Sequence, residues 1–95
     1  MTRVVFTPAA ASDINAIWDY TAHTWGIDQA EAYLDAIRDA CAQLASGSGA
    51  GRPVSARGGY FKLAVGRHFL FYRAKGQDLE IVRILHQRMD AERHF

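Results

Sequence analysis

Ninety-five residues make one small domain, and a hydrophobic share of 49% beside 22% charged residues is that of an ordinary folded chain rather than a disordered one. No apolar run approaches membrane-spanning length, and the single cysteine excludes an internal disulfide. The net charge of +1 conceals an asymmetry: residues 1–45 hold two basic and six acidic side chains, a balance of −4, while residues 46–95 hold nine and four, a balance of +5. The second half therefore suits an anionic partner, nucleic acid or an acidic protein surface, unless the two halves simply neutralise each other.

The opening segment Met1-Thr-Arg-Val-Val-Phe-Thr-Pro8 lacks the apolar stretch and cleavage site of a signal peptide, so the cytoplasm is the expected location. Arg3–Phe6 reads as a first strand, because Val4, Val5 and Phe6 favour extended backbone. Thr7-Pro8 supplies an N-cap and a proline at the first helical position. The helix that follows spaces Ile14, Ile17, Trp18, Thr21 and Trp25 on one face and stops at Gly26. Asp28 with Glu31 resembles a capping box for a second helix, which buries Ala30, Tyr33, Leu34, Ile37, Cys41 and Leu44. The short connection makes the two helices an antiparallel hairpin. On that stripe Cys41 reads as a small buried hydrophobe rather than a reactive thiol.

Ser46–Gly59 holds five of the eight glycines and reads as one long connector. Its Gly-x-Gly-x-Gly at 47–51 follows a helix and opens none, so the context of a phosphate cradle is missing. Tyr60–Val65, His68–Ala74 and Leu79–His86 read as strands joined by a Gly66-Arg67 turn and by Lys75-Gly-Gln-Asp78. The expected fold is α+β, in the order β-α-α-β-β-β, with the helix hairpin on one face of a small, mainly antiparallel sheet.

Turn positions set the expected register. Phe61, Leu63, Val65, Leu70, Tyr72, Ile81 and Leu85 face the helices. Lys62, Phe69, Phe71, Arg73, Val82, Ile84 and His86 face away, where no helix remains to cover them. An open face carrying Phe69, Phe71, Val82 and Ile84 points to a partner surface. His23, His68, His86 and His94 show no paired ligand spacing, so neither a metal nor another cofactor is expected. Lys62, Arg67, Arg73, Arg83, Arg88 and Arg93 form a basic set. Metal-free RNA cleavage needs a base, an acid and cations at the phosphate, roles that His86, Lys62 and Arg88 can fill; a solvated basic rim is the competing reading.

Several segments together carry a family likeness. They are Asp13-Ile-x-Ala-Ile-Trp-Asp-Tyr20, Trp25-Gly26, Ala30-x-x-Tyr33, Gly59-Tyr60, Val65-Gly-Arg-His-Phe-Leu-Phe-Tyr-Arg73 and Arg83-Ile-Leu-His-Gln-Arg-Met-Asp90. In order and spacing they resemble the ParE toxins of the wider RelE/ParE superfamily. A proline often seen in the first part of the long loop is absent, and Gly49 stands near its place. The resemblance implies the toxin half of a type II toxin–antitoxin pair, a ParD-like antitoxin in a toxin–antitoxin hetero-oligomer, and DNA gyrase as target. It makes Lys62, Arg73, His86, Arg88 and Arg93 candidates for target or anion contact, and Trp18, Phe69, Phe71, Val82 and Ile84 candidates for antitoxin contact, with no catalytic residue. The RelE branch, which cuts ribosome-bound mRNA, resembles the chain at Lys62 and Arg88. That branch has an arginine where Phe69 stands and a tail tyrosine near His94, neither of which this chain carries. A phenyl ring cannot stabilise a developing phosphorane charge. Gyrase inhibition is thus expected ahead of RNA cleavage, with a non-toxic binding module as a further alternative.

Overall fold

The computed structural model describes residues 2–55, 57–89 and 91. Strand β1 (Arg3–Phe6) leads through Thr7 into helix α1 (Pro8–Trp25). The Thr7 hydroxyl accepts the Ala10 N–H at 3.1 Å and donates to the Val82 carbonyl at 2.7 Å, so one side chain caps the helix and fastens it to the last strand. Helix α2 (Ile27–Ser46) begins one residue after α1 ends, and Gly26 serves both termini. No residue is left over to cap α2 with a side chain. The expected capping box is not formed, and Asp28 lies inside the first turn, where a carboxylate complements the helix dipole.

The sheet has five strands in the order β1-β5-β4-β3-β2. β3 (Phe61–Val65), β4 (His68–Lys75) and β5 (Asp78–His86) form the expected antiparallel meander, and β1 joins β5 in parallel. The additional strand β2 (Arg52–Pro53) lies inside the segment expected to be loop and pairs antiparallel with β3. A proline is tolerated there because the strand is an edge. Gly51, just before it, packs so closely that a Cβ would stand 2.5 Å from the Lys62 carbonyl oxygen, and its N–H donates to the Tyr72 hydroxyl at 2.7 Å.

A bulge in β5 changes the expected register. Tyr72 pairs with Ile81 and Phe71 with Arg83, so Val82 is the extra residue and the alternation reverses beyond it. Ile84 accordingly pairs with Leu70, is 3% exposed, and joins Ile17, Leu34, Ile37, Leu70, Tyr72, Leu79 and Ile81 in the core under the helices. The expectation that Ile84 lies on an open outer face is corrected. Leu85 pairs with Phe69 on the outer side instead, away from the helices. Phe71 does lie on the outer face but is only 3% exposed, and Phe69 and Val82 are half-buried, so that face is not the open apolar patch expected. Trp25, assigned to the buried stripe of α1, is exposed. Among the described residues no helix is long and apolar enough to cross a membrane.

Candidate functional site

A cavity of about 750 Å³ opens between the second half of α1, the start of α2, the β3–β4 turn and the end of β5. Ile17, Tyr20, Trp25 and Met89 give it apolar walls, and Asp13, Tyr33, Arg67, His68 and His86 give it polar ones. Tyr20 is 69% exposed, Trp25 66% and Met89 43%; these are three of the five exposed large hydrophobic residues among the described ones, gathered around this cavity. Such a concentration marks an interaction surface rather than the scatter of single apolar residues normal on a protein.

Local chemistry builds the cavity's sides. β1 ends at Phe6, opposite Ile81, which leaves the outer edge of β5 without a strand beyond that point. Asp13 on α1 caps this edge. Its carboxylate accepts the Ile84 N–H at 2.9 Å and both prongs of the Arg83 guanidinium at 2.8 Å. The pair holds the Arg83 pKa above its ordinary value, chiefly through the hydrogen bond to Asp13. At the opposite side the Gly66-Arg67 turn comes up against Tyr33. Gly66 has φ +57°, and a Cβ there would stand 2.5 Å from the Tyr33 ring, so the turn admits this approach because position 66 is glycine.

The Tyr33 hydroxyl is a hub. It receives the Arg67 N–H at 3.0 Å, donates to the Val65 carbonyl at 3.2 Å and lies 2.6 Å from His68 Nδ1. A carbonyl can only accept, so the single hydroxyl proton belongs to Val65, and satisfying all three contacts assigns the Nδ1 proton to His68. His68 and His86 are cross-strand partners with ring centroids 5.3 Å apart, edge to face. The His68 pKa is lowered, first by burial and then by the neighbouring His86, with Asp13 opposing. Burial and the neighbouring His86 thus favour the uncharged imidazole at His68.

The bulge also separates the candidates for chemistry. His86 lines the cavity on the helix side, while Lys62 lies on the outer face with its ammonium 4.8 Å from the centroid of the Phe69 ring. Arg73 is tied to Glu80 at 2.9 Å and to the Tyr60 hydroxyl at 3.1 Å. Arg88 is exposed just past β5, and its guanidinium has no ion pair with a described residue; Arg93 lies outside the described residues. The structure thus joins the Arg88 backbone N–H to the His86 ring at 3.1 Å and leaves Lys62 and Arg73 on the outer side of the sheet. Trp18 is half-buried and packs on the core instead of lining the cavity. Tyr20 and Trp25 were not among the expected contact residues. The signal for Tyr20 was its place off the apolar stripe of α1, where an aromatic has no core to join. No group of three or more His, Cys, Asp or Glu side chains that could hold a metal occurs among the described residues.

Comparison with known proteins places this arrangement in a family. The family described as the ParE toxin of the type II toxin–antitoxin system parDE matches residues 4–91. A Toxin ParE1 of Mycobacterium tuberculosis is 43% identical over 96 aligned residues, spanning 99% of this chain and 98% of that one. A Toxin ParE1 of Caulobacter vibrioides is 38% identical over 87 aligned residues, spanning 90% of each chain. Among solved structures, a chain of the chromosomal ParDE system of P. aeruginosa superposes with a TM-score of 0.79 at 28% identity, covering 90% of this chain and 96% of that one. The chain belongs to the ParE toxin family of type II toxin–antitoxin systems.

Proposed function

We propose that this toxin arrests growth by inhibiting DNA gyrase in the cytoplasm without hydrolysing RNA, and that a ParD-like antitoxin holds it inactive. Family membership supports the gyrase target, for which the exposed rim residue Arg88 is a candidate contact. The observation that favours it over RNA cleavage is the separation of Lys62 from His86 by the thickness of the sheet. A general acid and base for a 2′-hydroxyl and its leaving oxygen must converge on one phosphate. Lys62 does not converge with His86, and Phe69 stands where a cation would be needed.

The antitoxin reading is supported by the cavity at the helix–sheet junction. Exposed Tyr20, Trp25 and Met89 offer an apolar seat that a partner chain can bury, and Arg67 and Arg88 offer cations to carboxylates at its edge. The site assignment therefore moves from the outer face of the sheet to this junction. Purified protein should inhibit gyrase supercoiling or stabilise cleaved plasmid while ribosome-bound mRNA stays intact. Metal-independent mRNA cleavage without any effect on gyrase would reverse the assignment. Co-expression with the small protein encoded beside the toxin gene should give a complex that co-elutes at micromolar concentration and melts higher than the toxin alone.

A further inference from the structure

We infer that His86 is a positioning residue: through its Nδ1 lone pair it accepts the Arg88 N–H and so fixes the backbone from which the rim residues Arg88 and Met89 are presented. The inference rests on the proposed contact between Arg88 and the target and adds to it the element that sets the Arg88 backbone.

Arg88 N–H donates to His86 Nδ1 at 3.1 Å, across a two-residue step. Two further bonds frame the same turn: Met89 N–H donates to the His86 carbonyl at 2.9 Å, and Gln87 N–H donates to the Arg67 carbonyl at 2.9 Å. The first of the three is the one that a side chain supplies. An imidazole nitrogen that accepts has no proton of its own, which assigns the ring's proton to Nε2. Arg88 presents its guanidinium from this turn, and Met89 forms part of the cavity wall.

An asparagine carbonyl can replace the Nδ1 acceptor, which makes His86→Asn the discriminating variant. In the purified chain, the Arg88 amide should read as hydrogen-bonded in the parent protein and in His86→Asn, and as unbonded in His86→Ala. In growth-arrest assays His86→Asn should keep full potency. His86→Ala should lose about fivefold, the weight of one hydrogen bond, while remaining folded. An Arg88 amide equally protected in His86→Ala overturns the inference whatever the toxicity. So does a folded His86→Asn protein as weak as His86→Ala, since His86 would then be touching the target itself. If the amide responds as expected but Arg88→Ala remains fully toxic, it is the proposed contact of Arg88 with the target that fails.

Discussion

Asp13 and Arg83 stand 70 residues apart in sequence and meet in a two-pronged pair, both contacts 2.8 Å long, at the edge of the last strand. The same carboxylate also accepts the Ile84 N–H, so one side chain closes a strand edge and anchors α1 to the sheet. A backbone donor there without Asp13 would have to find water in a half-buried setting.

Asp13→Ala should therefore destabilise the fold by about 2 kcal/mol, the scale of hydrogen bonds made to a charged group. Asp13→Asn, which keeps one acceptor for the Ile84 N–H, should cost less. Urea unfolding of the three proteins measures both. Equal stabilities would show that the pair contributes no more than a solvent-exposed one.

Ile84→Ala should cost about 2–5 kcal/mol, because the side chain is buried among core residues and its loss leaves a cavity. Arg88→Ala, by contrast, should leave the melting temperature unchanged and weaken growth arrest, since Arg88 is exposed and outside the core. Thermal unfolding and growth assays on both variants separate the core from the rim.

His68 adds a pH dependence to stability. Its pKa in the folded chain lies below the ordinary value of 6.5, chiefly through burial, so the unfolded chain takes up a proton more readily. The contribution is complete above about pH 6.5 and is lost as the pH falls toward the lowered folded value. In melting curves between pH 7 and pH 5, replacing His68 with asparagine should make the decline shallower. An unchanged slope would mean that another group governs the acid limb.

Cys41 should behave as a hydrophobe. Burial pushes its thiol up to about 11, so almost no thiolate is present at neutral pH. Iodoacetamide at pH 8 should leave the folded protein unmodified and alkylate it fully in urea, as read by mass spectrometry. Rapid labelling of the native protein would reveal an opening of the α2–sheet contact.

Local chemistry made much of the architecture legible. Thr7-Pro8 starts α1, Gly66 turns the β3–β4 hairpin, and branched residues mark β1 and β5, because caps, turns and strand propensities act over a few residues. β2 escaped the reading because two residues, one of them proline, carry no alternation to detect. The sequence by itself also determined the family, through motifs whose order spans the chain. Only the tertiary structure decided the register beyond Val82. That bulge is accompanied by bonds from Thr7 to Val82 and from Asp13 to Ile84, contacts 75 and 71 residues long that no local pattern encodes. One extra residue turned Ile84 inward, placed His86 beside His68 at the cavity and left Lys62 on the far face. The side-chain period of a strand is two, so a shift of one residue exchanges its faces.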